Sequence, residues 1–311
     1  MDAPRDNLTR DVLVIVRTVG ERTTDACLRI VRDQVPARNV RVLTVRPFAM
    51  SVVQGLRTAA REQPAWVFTL DADTLLVPDG VARLRRLCDL AESSVFHVKG
   101  LVLCRVYGAV QPRGFHAFRG SMLEEALTHL DAVHDTTRPE TAVVRRMEAA
   151  GHPSRFFAEV LGIHDYEQRL ADLFLKLRSR AGRAGDVDRL RNRLAALADL
   201  HEDFRVCLWG LEDGLAHPED SERGALERFG GWCAEHGITE KPALELADPA
   251  GEATATIAAY RPGAADYPHA HFAFSGDPFR WSVTSEGGAS PDSPSRMSPW
   301  AATSGPQRIA V

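Results

Sequence analysis

The stretch FTLDADTLL, residues 68–76, is an apolar run that continues into two aspartates, Asp71 and Asp73, separated by one alanine. A short continuous apolar run is typical of a strand that is buried on both faces of a sheet. Two carboxylates at the end of such a strand repel each other and lose hydration, unless a cation or a polar ligand lies beside them. The stretch therefore predicts a buried strand and a polar site at its end.

The segments before and after this strand alternate between strand and helix patterns. The predicted strands cover 12–16 (VLVIV), 40–45 and 66–70, and the predicted helices cover the residues before Pro36, residues 50–61 and the residues after Pro78. This order is typical of a parallel sheet that is covered by helices on both faces. Ligands of such sheets bind at the carboxyl ends of the strands. Two loops are expected there, at 17–24 and at 71–73.

The second half of the chain is less regular and becomes helical. Helices are predicted at 122–130, 140–151, 166–181, 187–200 and 219–236, and residues 94–106 read as one or two strands interrupted at Lys99-Gly100. Ala, Gly, Pro and Ser dominate from about residue 245, which favours irregular structure. We expect an α/β domain at 1–175, a helical extension at 176–240 and an irregular, partly disordered tail at 241–311.

Composition excludes several classes of protein. A formal net charge of −4 over 311 residues, without a long basic run, gives no reason to expect a nucleic-acid partner. The apolar runs are too short for a transmembrane segment. The five cysteines show no close pairing, which favours reduced thiols, and the polar, acidic start MDAPRDNLTRD does not resemble a secretory signal. We therefore expect a cytoplasmic protein.

The pattern D-x-D is a weak signal by itself, because Asp186-Val187-Asp188 matches it as well. That second pair precedes a leucine stripe and is typical of a helix start. The pair at 71 and 73 differs because it closes a buried strand, where Mg²⁺ or Mn²⁺ would bridge carboxylates to phosphate groups. A simpler interpretation stays open, in which Asp73 caps the following turn and Asp71 is solvated.

Residues 11–175 resemble a glycosyltransferase of the GT-A fold, close to the broad family-2 type. The resemblance lies in the strand–helix order that ends in DAD, in the helix begun by Pro78 and in the segment GIHDYEQ at 162–168. It implies a Rossmann-related, mostly parallel sheet and an enzyme of the hexosyltransferase type, with a nucleotide-diphosphate sugar donor and an unknown acceptor. It also implies a Mn²⁺ or Mg²⁺ ion held by Asp73 and His164, with Asp71 at the ion or on the sugar or ribose.

The first turn of the chain departs from the family pattern. It reads VRTVGERT, and the second strand ends in VRPF without the usual acidic residue. Donor binding would then fall to Arg17, Thr18, Glu21 and Arg22, since arginines recognise diphosphates through their forked donors. The alternative is that Glu21 and Arg22 form a solvated pair at a helix start.

Transfer to an alcohol acceptor with inversion also needs a general base. The candidates are acidic residues of the second half, which the sequence does not rank further: Glu124, Glu125, Asp131, Asp135 and Asp165. His116 and Arg119, in the predicted loop 111–120, are candidates for acceptor contacts. The alternative is an ordinary loop whose aromatic side chains are buried in the core. The apolar stripe at 187–200 is a candidate face for a homo-oligomer or a part of the core.

Two other functions compete with glycosyl transfer. A haloacid-dehalogenase-like phosphatase also ends an apolar strand in Asp-x-Asp, and Asp71 would then be its nucleophile. A catalytically inactive, GT-like binding or scaffold protein is the second alternative, because a fold does not establish an activity. Ligand binding and product analysis distinguish the three.

Overall fold

The computed structural model describes residues 11–130, 139–182, 187–260, 272–274 and 281–283. The strands are β1 Val12–Arg17, β2 Val40–Leu43, β3 Trp66–Asp71, β4 Thr74–Leu76, β5 His97–Cys104, β6 Ala109–Gln111, β7 Phe115–Arg119, β8 Ser154–His164, β9 Phe272–Phe274 and β10 Trp281–Val283. The helices are α1 Thr24–Gln34, α2 Phe48–Glu62, α3 Gly80–Asp89, α4 Leu123–Thr128, α5 Pro139–Ala149, α6 Leu170–Ala181, α7 Val187–Ala198, α8 Glu202–Ala216, α9 Glu222–His236 and α10 Pro249–Ala259.

Within the described residues, the main sheet has eight strands in the order β2-β1-β3-β7-β5-β8-β4, with β6 paired to β5. Strands β1, β2 and β3 are parallel to one another, and so are β5 and β8, whereas β7, β6 and β4 run antiparallel to their neighbours. Because β3 and β5 are both antiparallel to β7, five of the eight strands run in one direction. The predicted α/β class with a largely parallel sheet is confirmed, and the sheet is mixed.

Helices cover both faces of the sheet. Val12, Val14 and Val16 of β1 point into an apolar cluster shared with α1, α3 and α10, whereas Leu13 and Ile15 point into a cluster shared with α2, α4 and α5. This alternation is the two-residue period of a strand, and each buried aliphatic side chain contributes about 1.5–3 kcal/mol to stability. The prediction that β1 is buried on both faces is confirmed.

Strand β8 lies inside the sheet, and the sequence did not predict it. After the buried Ser154, its first half alternates between partly exposed and exposed positions, and its last five residues are all buried, so the strand has no single period. It pairs with β5, which is one strand with register shifts on either side of Leu101. Gly100 allows the close approach of the two strands there, because a Cβ at this position would lie 2.4 Å from the Leu161 side chain and 3.0 Å from the carbonyl oxygen of Glu159. The predicted interruption at Lys99-Gly100 is therefore an irregularity of the pairing rather than a break.

The C-terminal half packs around a third apolar cluster, built by α6 to α9 with residues of the β5–β6 hairpin. Helix α8 was not predicted, because Gly210 and Gly214 lower the helix propensity of its sequence. Both glycines allow close contact with α6, since a Cβ would lie 2.4 Å from the carbonyl oxygen of Phe174 and 2.3 Å from that of Arg178. The predicted boundary at residue 175 falls inside α6, which continues to Ala181.

For this half, one of two open alternatives is now favoured and one expectation needs correction. Leu190 and Leu194 of α7 are buried in the third cluster, so the stripe at 187–200 belongs to the core and is not a free self-association face. Residues 249–259, expected in an irregular tail, form α10, which starts with the Asp248 carboxylate accepting from the Gly251 amide. The small residues of this segment give no clear helical pattern in the sequence, yet Ala253 and Ile257 are fully buried against the sheet.

The described residues show no disulfide among the five cysteines. No helix in the described part of the chain combines the length and the apolar character that a membrane crossing needs.

Candidate active site

The carboxyl ends of β1, β3 and β8 bring the polar site together. Arg17, the last residue of β1, lies opposite Asp71, the last residue of β3. The chain then turns through Asp73 into β4, whose Thr74 pairs with His164 at the end of β8. The amide of Asp165 donates to the carbonyl oxygen of Asp73 over 2.9 Å. Two segments about 90 residues apart in the sequence are therefore joined by the sheet itself.

Four charged side chains meet at this point, and we call Asp73, His164, Asp165 and Lys176 the Asp73 cluster. His164 Nε2 lies 3.3 Å from Asp73 Oδ2, and His164 Nδ1 lies 2.8 Å from Asp165 Oδ2. The Lys176 ammonium reaches over from α6 and donates to Asp73 Oδ2 at 2.9 Å and to Asp165 Oδ1. The side chain of Asp165 is inaccessible to solvent, whereas that of Asp73 is 15 % exposed. Of the two carboxylates, Asp73 is thus the one that solvent can reach.

The attraction between the two carboxylates and the two cations sets the protonation states in this cluster. Burial lowers the pKa of His164, but the carboxylates of Asp165 and Asp73 outweigh burial and hold it well above its ordinary range. The pKa of Lys176 is raised for the same reason. Burial raises the pKa of Asp165, yet His164 and Lys176 outweigh burial and leave it far below its usual value. Asp165 is therefore a firmly ionised anchor and is poorly suited to accept a proton, contrary to its prediction as a general base.

The backbone around the cluster leaves no space for larger residues. Gly114 has φ +69°, and a Cβ at this position would lie 2.6 Å from Thr74 Oγ1 and 3.2 Å from the His164 ring. Asp165 has φ +60°, a left-handed conformation that few residues other than glycine adopt. This conformation turns the Asp165 carboxylate back beside the ring of the preceding histidine.

Asp71 faces a second group of polar side chains on the same sheet, which we call the Arg17 group: Arg17, Asp71, Glu140, His116 and His97. Arg17 Nη2 lies 2.6 Å from Asp71 Oδ1, and Arg17 Nη1 donates to Glu140 Oε1 at 2.6 Å. His116 Nε2 lies 3.7 Å from Glu140 Oε2, and His116 Nδ1 is 3.1 Å from His97 Nε2. Burial raises the pKa of Asp71 to about 6 although the Arg17 charge opposes this shift. Burial lowers the pKa of both histidines well below the ordinary range, so they are neutral.

The Asp73 cluster has the donor atoms of a divalent-cation site. A carboxylate oxygen and an imidazole nitrogen that lie 3.3 Å apart match the separation of two neighbouring ligands on one ion. Asp165 lies behind the ring, as carboxylates commonly do behind metal-binding histidines. Cys104 Sγ, His164 and Asp165 also offer three ligand atoms that all lie within 4.8 Å of one another. The residues present therefore fit a divalent ion at Asp73 and His164 once the Nε2 proton of His164 is released to solvent, because only a neutral imidazole binds a metal.

The predicted donor-binding residues of the first turn already have partners within the protein. Arg17 belongs to the Arg17 group, and Thr18 Oγ1 donates to Glu21 Oε2 over 2.6 Å. Arg22 Nη1 donates to Glu167 Oε2 at 3.0 Å. Thr23, which the prediction omitted, donates to the carbonyl oxygen of Ala72 at 2.7 Å and thereby fixes this turn to the D-x-D backbone.

A cleft of about 530 Å³ opens beside this turn. It is lined by Gly20, Glu21, Arg22, Thr24, Asp25, Arg169, Lys241, Pro242, Ala243 and Leu244. Arg169, at the start of α6, is exposed and was not predicted as a site residue. The cleft thus places basic side chains next to the loop that carries Asp71 and Asp73.

Apart from Asp165 in the Asp73 cluster and His116 in the Arg17 group, the residues predicted for acceptor binding and proton transfer lie away from this site. The loop predicted at 111–120 is mostly strand β7, which runs antiparallel to β3 and pairs Arg119 with Trp66. Arg119 therefore lies at the opposite end of the sheet from Asp71, with its guanidinium over the Trp66 ring. His116 is buried within the sheet and stacks on His97.

The two predicted glutamate bases lie in the first turn of α4, which follows the far end of β7. Glu124 is exposed, and Glu125 Oε2 lies 3.0 Å from His152 Nε2, just before β8 begins. Since β8 ends at His164, both glutamates lie at the edge of the sheet opposite to the Asp73 cluster. Asp131 and Asp135, the remaining candidates, lie outside the described residues.

Three charged residues of this region were not predicted. Lys176 and Glu140 lie on helices, where a single charged residue carries no functional signal, and only the fold brings them to Asp73 and Arg17. Lys99 is 7 % exposed inside β5. Its charge in the middle of the apolar stretch SVFHVKGLVLC is the one sequence signal that could have been read.

Comparisons with known proteins give similarity to solved structures only. No protein-family model matches the chain, and the comparison with curated proteins also gives no match. A mannosyltransferase from Pyrobaculum calidifontis, solved with GDP-Man and Mn²⁺, is 14 % identical over 75 % of this chain and 83 % of its own, with a TM-score of 0.39. A glycosyltransferase involved in glycosylation of the major capsid of PBCV-1 is 10 % identical over 50 % of this chain and 93 % of its own, with a TM-score of 0.38.

The similarity extends to a second kind of enzyme. A 4-diphosphocytidyl-2C-methyl-D-erythritol synthase from Anaerococcus prevotii is 11 % identical over 50 % of this chain and 89 % of its own, with a TM-score of 0.34. Because all these scores are low, function has to be argued from the side chains of this protein.

Proposed function

We propose that this protein is a metal-dependent glycosyltransferase, which moves a sugar from a nucleotide-diphosphate donor to an acceptor. The observation that carries the proposal is the contact between Asp73 and His164, 3.3 Å apart at the carboxyl ends of their strands. A carboxylate oxygen and an imidazole nitrogen at this separation are suitable ligands for a divalent ion that holds a diphosphate.

Asp73 and His164 would hold the divalent ion, and this ion would supply positive charge to the departing diphosphate. Asp165 fixes the orientation of the His164 ring and keeps its Nε2 toward Asp73. Asp71 and Glu140 hold the Arg17 guanidinium at the same edge of the sheet, so that its charge lies beside the D-x-D loop. Asp71 retains an oxygen that is not paired with Arg17 and is placed to accept a hydroxyl hydrogen bond from the donor.

The donor's nucleotide would bind in the cleft beside the first turn. Arg22, Arg169 and Lys241 line this cleft and suit a phosphorylated ligand. The hydrogen bond from Thr23 to Ala72 couples the cleft wall to the D-x-D loop. A ligand that orders the turn would therefore also position Asp71 and Asp73.

A panel of nucleotide sugars, assayed with Mn²⁺ for release of nucleoside diphosphate, tests the proposal. We expect release from at least one donor, loss of release in Asp73→Asn, and no change in Asp188→Asn. Asp188 is a matched control because it belongs to the second Asp-x-Asp of the chain, where its side chain is 91 % exposed. Absence of both release and donor-induced thermal stabilisation would overturn the proposal in favour of a binding protein.

The products separate the competing enzymes. Pyrophosphate formed from a nucleoside triphosphate and a sugar phosphate would indicate nucleotidyl transfer. Inorganic phosphate formed from a phosphomonoester, and lost in Asp71→Asn, would indicate the phosphatase. Either result without nucleoside diphosphate release contradicts glycosyl transfer.

A further inference from the structure

The Lys176 ammonium lies where a divalent ion would bind. It donates to Asp73 Oδ2 over 2.9 Å, and this is the same oxygen atom that faces His164 Nε2. It also contacts Asp165, the carboxylate behind the histidine. All the negative charge of the Asp73 cluster is therefore already paired with side chains of the protein.

A divalent ion and this ammonium group cannot share Asp73 Oδ2 at contact distance. An Mn²⁺ or Mg²⁺ ion lies only about 2.1 Å from a carboxylate oxygen, so the ammonium would be pressed against a like charge at short range. Lys176 can move away, because its side chain is 37 % exposed and extends from the surface of α6. Asp165 keeps His164 as a partner when the lysine leaves.

We propose that Lys176 occupies the cation position of Asp73 in the metal-free protein, and that a divalent ion binds there only by displacing it. This inference rests on the metal site of the proposed function and adds a competitor built into the chain. Its consequence is that the protein binds a free divalent ion weakly until another anion pairs with the Lys176 ammonium. A phosphorylated ligand, which is an anion, would do so.

Titration with Mn²⁺ alone, followed by electron paramagnetic resonance of the free ion, tests the competition. We expect Lys176→Met to bind Mn²⁺ about tenfold more tightly than wild type, since the ammonium that pairs with Asp73 no longer competes with the ion. Lys176→Arg keeps the charge and should retain weak binding. Arg41→Met is a matched control, because it removes one positive charge of equal exposure, 37 %, that pairs with Glu62 near the start of β2. Asp73→Asn in the Lys176→Met background should abolish the gain.

The outcomes distinguish a failure of this inference from a failure of the proposed function. Equal or weaker Mn²⁺ binding by a folded Lys176→Met, next to measurable binding by wild type, overturns the competition and leaves the metal site standing. No Mn²⁺ binding by either protein overturns both.

A second readout needs no variant. The chain has three lysines, Lys99, Lys176 and Lys241, so acetylation of each can be followed by mass spectrometry. Mn²⁺ should raise the acetylation rate of Lys176 by at least about twofold, because a displaced ammonium loses its carboxylate partner, and leave Lys241 unchanged. An unchanged rate at saturating Mn²⁺ would contradict the displacement.

Discussion

Two clusters of buried charge in this protein use the same kinds of carboxylate but different cations. The Asp73 cluster sets two carboxylates against one lysine and one histidine. A second cluster, which we call the latch, sets Glu167 and Asp203 against Arg22, Arg105 and Lys241. The latch joins the first turn to the helical half, and with three cations for two carboxylates it leaves no negative charge unpaired.

The difference lies in how easily each cation can leave. Arg22 and Arg105 keep their charge at any pH a protein meets and hold carboxylates through several donors. Lys176 binds as a point charge at the end of a half-exposed chain, and imidazole is a common metal ligand. Tightly held arginines are suited to fix two parts of a fold together, whereas a lysine and a histidine are suited to a site that exchanges its cation.

The largest expected effect separates the clusters by function. Asp73→Asn removes the carboxylate charge that faces both His164 and Lys176, and we expect donor turnover to fall by about 100-fold or more. Arg105→Met, in the part of the latch that does not line the donor cleft, should lower the melting temperature and leave turnover per folded molecule nearly unchanged. Initial rates normalised to the folded fraction measure both, and equal loss of turnover in the two variants would contradict the division of roles.

The second effect is on stability. Asp203 is 6 % exposed and contacts Arg105 at 3.1 Å and Lys241. Asp203→Asn removes two charge-assisted contacts at a buried carboxylate and leaves both cations with Glu167 alone, so we expect the free energy of unfolding to fall by about 3 kcal/mol. Urea unfolding measures the loss. Mn²⁺ affinity serves as the control, because a latch without a part in the metal site leaves it as in wild type.

The third effect concerns Lys99, a buried lysine that, unlike Lys176, lacks an ion-pair partner among the described residues. Burial lowers the pKa of Lys99 to about 7, although Glu140 and Asp71 oppose the shift and Arg113 and Arg17 add to it. The unfolded chain keeps the proton up to pH about 10.4, so between these values it binds more protons than the folded protein. The stability of wild type relative to Lys99→Met should therefore rise by about 2 kcal/mol from pH 7 to pH 9.

Urea unfolding of wild type and Lys99→Met at pH 7, 8 and 9 measures this difference. A difference that stays constant over this range would mean that Lys99 has a partner in the folded protein and titrates near its ordinary pKa. Below pH 7 the difference should level off, because both states then carry the proton.

The sequence predicted what depends on local pattern and missed what depends on pairing. Strands β1 and β3 were found because each is a continuous apolar run, and Asp71 and Asp73 were found because they end one. Strand β8 and helix α8 were missed because their burial is set by neighbouring elements and by glycines that permit close contact. Lys176 reaches Asp73 across 103 positions, and Arg119 lies at the far edge because β7 runs antiparallel to β3, which local pattern does not encode.

The smallest expected effect tests whether context, and not the motif, makes the site. Asp188 belongs to the same Asp-x-Asp pattern as Asp73, but it lies in the first turn of α7, 91 % exposed and 3.3 Å from Arg191 one turn along the helix. Because an exposed pair of this kind contributes little, Asp188→Asn should change the free energy of unfolding by less than about 0.5 kcal/mol. Mn²⁺ affinity and donor turnover should stay at wild-type values. If Asp188→Asn lowered Mn²⁺ affinity as much as Asp73→Asn, the fixed geometry of Asp73 beside His164 would no longer explain why one pair binds an ion and the other does not.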